Sequence, residues 1–138
     1  METFQVHILA ADRPFYEGPC ESMVVPTSTG QYGIMAHHIN MIAAIVPGTM
    51  TYRIPGEEAQ IASISGGLIK VENNDVLVLV DSAERPEEID INRAQREADM
   101  AKEAILQKQS IQEYRSAQAA LARAISRLRV KHSRDANN

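Results

Sequence analysis

The sequence predicts an α+β fold, an N-terminal antiparallel β-sandwich (flattened barrel) over residues 1–84 followed by a C-terminal antiparallel two-helix hairpin over residues 85–138. Three observations predict it. Up to Val80 the apolar residues fall in short runs of strand-like alternation. Turn residues separate these runs at close spacing, which favours a sandwich or barrel over alternating strand and helix units. The pattern changes near Asp81, and from Glu87 onward the chain is alanine-rich with apolar residues three and four apart. A chain of 138 residues is long enough for one domain or a small domain with an appendage.

The first strand covers residues 4–10, with Phe4, Val6 and Ile8 on one face. Asp12, Arg13 and Pro14 interrupt it, and residues 22–26 form a second strand. Gly30 and Gly33 bracket a turn. Two further turns, at Pro47 with Gly48 and at Pro55 with Gly56, enclose a strand over 49–54. Strands over 60–65, 68–71 and 76–80 follow, separated by Gly66 and Gly67 and by Asn73, Asn74 and Asp75. The unbroken apolar run 76–80 predicts burial on both faces. With two Phe, four Tyr and no Trp, the core is left to Ile, Val, Leu and Met.

The first helix is predicted over 91–108, with Ile91, Ala94, Ala98, Ala101 and Ile105 on its inner face and Asp90 as N-cap. The second is predicted over 110–131, with Tyr114, Ala117, Leu121, Ala124, Ile125 and Leu128 inward. The break at Gln109 and Ser110 contains neither Gly nor Pro, so the pair is free to fold back or to straighten. An alanine seam holds weakly, because one buried methyl contributes only roughly 0.8 kcal/mol and ordering entropy offsets much of it. Such a seam suits a switch and equally a plain structural hairpin.

The chemistry the chain lacks is informative. Cys20 is alone and reads as a small, semi-buried apolar residue in a reducing compartment. Adjacent His37 and His38 point to opposite faces if they lie in a strand, so no metal site is expected. No phosphate loop, nucleophile elbow or paired acid and base is present, so no catalytic residue is assigned. No run approaches the roughly 20 apolar residues of a membrane helix, and the acidic start lacks the features of a signal peptide, so a cytosolic protein is expected. The net charge of −4 is uneven: acidic residues dominate up to Val80, whereas the last segment carries Arg115, Arg123, Arg127, Arg129, Lys131 and Arg134. Without stacking aromatics or a reader motif, this basic helix favours an acidic protein surface or a polyphosphate over nucleic acid.

Four segments together resemble the epsilon subunit of the rotary ATP synthase: TGQYGIM from Thr29, SGGLIKV from Ser65, DSAER from Asp81 and AQAALARAISRLRV from Ala117. The likeness covers nearly the whole chain. One departure is local: where the family usually has a Pro-Gly-His turn after the Gly-Ile of this segment, this chain reads Ala36, His37, His38.

The resemblance implies a non-catalytic central-stalk subunit at the cytoplasmic face of a bacterial plasma membrane, with no direct membrane insertion. Its β body is expected to meet the gamma subunit and the membrane rotor ring of c subunits through Gln31 and His38. Its helical arm is expected to extend toward the alpha/beta catalytic head and inhibit hydrolysis, with Arg115, Arg123, Arg127 and Arg129 contacting the beta subunits. Ile89, Asp90, Arg93 and Ala94 match a pattern that in some bacterial members binds ATP against the folded hairpin, and Glu84 matches a further position of that site. Arg123 and Arg127, four apart on the second helix, are suited to clamp its phosphates. Met100 stands where those members carry another arginine, for which Arg96 is the candidate substitute. ATP is thus the expected regulatory ligand, with no covalent cofactor. The competing reading is a free-standing ATP sensor that works without a rotor.

Overall fold

The computed structural model describes residues 2–107 and 111–137. Ten strands come first: β1 (Phe4–Ala10), β2 (Pro14–Cys20), β3 (Ser22–Thr27), β4 (Gly30–Met35) and β5 (Met41–Ile45), then β6 (Gly48–Arg53), β7 (Gln60–Ile64), β8 (Gly67–Glu72), β9 (Asp75–Val80) and β10 (Ala83–Glu84). A 3-10 turn (Pro86–Glu88) leads into α1 (Ile91–Gln107) and α2 (Ile111–Asn137). The strands follow the order β10-β7-β6-β3-β5-β8-β9-β1-β2, and β4 pairs with β3 off that path.

The sheet folds over at β3. Its first half pairs with β6, whereas Thr27 pairs with Ile45 of β5. Pro26 lies between these two pairings and has no N–H to give a continuing ladder, while its carbonyl accepts from Val46 N–H at 3.1 Å. Gly48 is required opposite, because a Cβ there would lie 2.8 Å from the Pro26 ring. Gly67 answers a similar close approach, since its Cβ would meet Leu79 O at 1.9 Å. Asn73 and Asn74, both with positive φ, form the two-residue turn from β8 to β9 that matches strand twist.

Inside the fold lie Phe4, Val6, Ile8, Met23, Val25, Ile34, Met50, Tyr52, Ile64, Ile69, Val71, Val76 and Val78. Phe15 packs edge-on to Tyr52 with ring centroids 6.0 Å apart. Cys20 is wholly buried rather than half-buried, and burial pushes its thiol pKa up.

Several sequence expectations are corrected here. β9 alternates, with Val76, Val78 and Val80 inward and Leu79 38% exposed, so only one of its faces is fully buried. β2, β4, β5 and β10 are additional strands. Pro14, Gly18 and Pro19 obscured β2, yet as an edge strand it tolerates proline. Gly33 lies inside β4 rather than in a turn, which Ser28 and Thr29 supply. The body is not wholly antiparallel either: β1 runs parallel to β9, a pair so distant in sequence that no hairpin dictates its direction. His37 and His38 follow β4 in a turn, not a strand, with His37 at φ 63.

The hairpin is folded back. α1 packs on α2, and α2 packs on β6, β7 and the 3-10 turn. Ala94, Ala98, Ala101, Ala117 and Ala124 are buried in this seam, as their spacing predicts. Ile91, Ile105, Tyr114, Leu121, Ile125 and Leu128 are only half-buried, whereas Ser126 and Val130 are buried. The stripe shifts because α2 is contacted from two sides, by α1 and by the body. α2 also continues past residue 131, since nothing in 131–137 breaks a helix. The expected break at Gln109 and Ser110 lies outside the described residues. No helix among the described residues is long and apolar enough to cross a membrane.

Candidate functional site

The segment joining body to helices is tied down before the site begins. Glu88 accepts from Arg85 N–H at 2.9 Å and from Arg13, while Arg85 donates to Phe15 O at 2.7 Å with its guanidinium 4.0 Å from the Phe15 ring centroid. Burial alone raises the Glu88 carboxyl pKa, but the Arg85 backbone N–H and then Arg13 outweigh it and lower the net value. Asp90 then caps α1: its Oδ1 accepts from Asn92 N–H at 3.0 Å and Arg93 N–H at 3.2 Å. Ile89 and Ala94 are buried beneath it and fix the start of α1.

Beyond this start, a cleft of about 1050 Å³ opens between the body and both helices, slightly larger than common small-molecule sites of roughly 300–1,000 Å³. Ser63, Ser65, Ser82 and Glu84 form its body wall, Arg93, Glu97 and Met100 line it from α1, and Glu113, Arg123 and Arg127 line it from α2. The Ser63 hydroxyl of the body wall shares a buried hydrogen bond of 2.9 Å with the Ser126 hydroxyl of α2.

Arg127 is the centre of the charge arrangement, with 14% of its side chain exposed. Its Nη2 donates to Glu84 Oε2 at 3.2 Å and its Nη1 to Glu97 Oε2 at 2.7 Å. Its Nε lies 2.8 Å from Glu84 Oε1, but the N–H is directed at no acceptor, leaving a buried donor unsatisfied. Arg93 Nε donates to Glu97 Oε1 at 3.1 Å. Arg123 is exposed on the α2 wall and pairs with no carboxylate among the described residues.

Of the residues expected at a nucleotide site, Glu84, Arg93, Arg123 and Arg127 therefore converge on the cleft, while Ile89, Asp90 and Ala94 lie outside its lining and shape the helix that presents Arg93. Arg96 is exposed and does not line the cleft, so it does not stand in for the arginine missing at Met100, which does line it. The helical phase explains this, since Arg93, Glu97, Met100 and Ala101 share one face. Sequence reasoning missed Glu97, Ser63 and Ser126. Spacing from Arg93 gave a signal for Glu97, four residues on, but its second partner lies on the other helix.

Residues expected at partner surfaces are placed as follows. Arg115 and Arg129 are exposed on α2, away from the cleft lining. Gln31 is exposed near the start of β4, and His38 is half-buried beyond its end, so strand length separates them. His38 Nδ1–H donates to Ile39 O at 2.8 Å, which leaves Nε2 as acceptor for the Tyr32 hydroxyl at 3.3 Å. Met35 at 57% and Ile39 at 74% exposure flank this turn, and Ile42 nearby in sequence is 72% exposed. His37 lies in the left-handed region that glycine favours, and its N–H donates to Asn74 Oδ1 at 2.7 Å. Among the described residues no cluster of His, Cys, Asp or Glu could hold a metal ion.

Comparison with known proteins now gives the family. Residues 3–86 match the model of the ATP synthase delta/epsilon chain beta-sandwich domain, and residues 87–132 that of its long alpha-helix domain. The ATP synthase epsilon chain of Caldanaerobacter subterraneus subsp. tengcongensis is 44% identical over 94% of each chain. That of Ruminiclostridium cellulolyticum is 36% identical over 97% of this chain and 99% of its own. A chain in the Euglena gracilis mitochondrial ATP synthase, solved as the OSCP/F1/c-ring assembly, superposes with TM-score 0.76 at 20% identity over 87% of this chain and 76% of that one. At that identity the superposition speaks for the fold. Full-length sequence similarity, two family models in consecutive order and the β body with its helical pair place this chain in the ATP synthase epsilon-chain family.

Proposed function

We propose that this chain is a central-stalk regulator of a rotary ATP synthase, whose hairpin is stowed against the body when ATP occupies the cleft and extends toward the catalytic head when it does not. The observation that carries this reading is the origin of the cleft walls: one from the body, one from α1 and one from α2. A ligand touching all three adds its binding energy to the stowed arrangement alone. At about 100 times its dissociation constant such a ligand contributes roughly 2.7 kcal/mol, enough to move two conformers of near-equal energy. The alanine seam supports near-equality, since it has little apolar area to lose.

Arg123 and Arg127 are the phosphate-binding groups in this reading, joined by Arg93 from α1. Once the arm is raised, the exposed Arg115, Arg123 and Arg129 face acidic surface on the catalytic subunits, and Arg127 joins them after leaving Glu84. The body docks on gamma and the rotor ring, and the apolar side chains around His38 suit such a contact. The subunit works from the cytoplasmic face of a bacterial membrane and performs no catalysis of its own.

Calorimetric titration of the full chain with ATP tests the ligand. Saturable heat that Arg93→Ala weakens is the expected result, and no heat at millimolar ATP overturns it. Removing residues after Arg85 raises hydrolysis by the reconstituted catalytic complex if the arm inhibits, and leaves it unchanged if it does not. Failure to co-purify with gamma would favour the free-standing sensor instead.

A further inference from the structure

Glu97 sits between two of the arginines that the nucleotide reading assigns to the phosphates. One of its oxygens is 3.1 Å from Arg93 Nε and the other 2.7 Å from Arg127 Nη1, so a single carboxylate bridges guanidiniums on two different helices. Glu84 holds Arg127 from the body side. Counting the ionised walls, Arg93, Arg123 and Arg127 face Glu84, Glu97 and Glu113, and the formal charges cancel. A polyphosphate therefore gains little from the net field of the cleft. Its gain comes from Arg123, which no carboxylate among the described residues holds, and from replacing carboxylate on Arg93 and Arg127, whose Nε lies 2.8 Å from Glu84 Oε1 without a well-directed hydrogen bond.

Resting on the nucleotide reading above, we infer that Glu97 is a built-in competitor for the phosphates: it clamps α1 to α2 in the empty cleft and releases both arginines when a polyphosphate enters. Glu97 is the carboxylate suited to leave. Its side chain is 41% exposed and reaches water by a rotamer change, whereas Glu84 at 25% is more enclosed and anchored in β10. The exchange makes the two occupants of Arg127 alternatives, so the hairpin is held by protein carboxylate when empty and by ligand when loaded. Neutralising Glu97 then has two effects of opposite sign. It tightens the nucleotide and loosens the empty hairpin.

The test is calorimetry of the full chain with ATP, with and without magnesium, for the native sequence, Glu97→Gln and Glu97→Ala. Loss of the competing charge lowers the dissociation constant about tenfold in both variants. An unchanged or raised constant overturns the inference, and a rise confined to magnesium would make Glu97 a cation ligand instead. If the native chain binds and Glu97→Gln binds no tighter, only the competitor role falls. If neither binds, the nucleotide reading falls with it. Hydrogen exchange without nucleotide is the second readout: α1 amides exchange faster in Glu97→Gln if the clamp is real, and unchanged protection rejects the clamp.

Discussion

Phe4, Ile8, Met23, Met50, Tyr52 and Ile64 leave water in the β body, whereas along the helices the buried residues, among those described, are Ala94, Ala98, Ala101, Ala117, Ala124, Ser126 and Val130. The two regions are similar in their regularity and differ in what a contact is worth. Fully burying a large apolar side chain contributes about 1.5–3 kcal/mol, against roughly 0.8 for a single methyl. The body is therefore a cooperative unit. The hairpin is a lower-stability unit laid on it, held by a narrow seam, one buried hydroxyl pair and a few ion pairs such as Arg134 with Glu87 at 3.1 Å. Among the described residues, the core cluster of the body includes none from α1 or α2.

That contrast breaks most visibly in a paired substitution. Ile69→Ala inside the body is expected to cost about 2–5 kcal/mol and to lower the denaturant midpoint of the whole chain. Ala98→Leu in the seam is expected to cost about 1–3 kcal/mol by overpacking, and to strip exchange protection from α1 and α2 while β1 to β9 keep theirs. Equal loss of protection in both regions would show one cooperative unit and defeat the comparison.

A smaller effect sharpens it at the boundary. Ser126→Ala leaves the buried Ser63 hydroxyl without its partner, a loss of about 1–3 kcal/mol to the stowed state. Adding Ser63→Ala should restore part of it, because neither side then buries an orphan. A double-mutant cycle read by hydrogen exchange of α2 measures the coupling, and strict additivity would mean that the hydroxyls do not interact.

The smallest effect is set by pH. Glu88 has a folded-state pKa below its ordinary value, so the stability it adds is present above the unfolded pKa and is lost as pH falls through the folded one. Protonation frees Arg13 and the Arg85 N–H, loosening the segment between body and α1. The expected change is confined to acid, below the usual carboxylate range near pH 4.3. Glu88→Gln should flatten it in an acid titration of exchange at Ile89 and Asp90, and a persistent acid transition in that variant would assign it to another carboxylate.

Much of this was legible because it is local. The alternation in Phe4, Val6 and Ile8, the turn at Asn73 and Asn74, the cap at Asp90 and the stripe through Ala94, Ala98 and Ala101 all follow from the period of one element and the backbone needs of one turn. β2 was hidden because proline and glycine normally break strands, and only its place at the sheet edge makes them acceptable.

What sequence alone determined is the pair of regions and their unequal packing material, since side-chain size and spacing are written directly in the chain. The tertiary structure decided which charges meet. Glu84, Glu97 and Arg127 belong to three different elements, and Ser63 finds Ser126 across 63 positions. Their contact depends on how the sheet folds over at Pro26 and on where α2 comes to rest, and such long-range geometry is carried by no single periodicity.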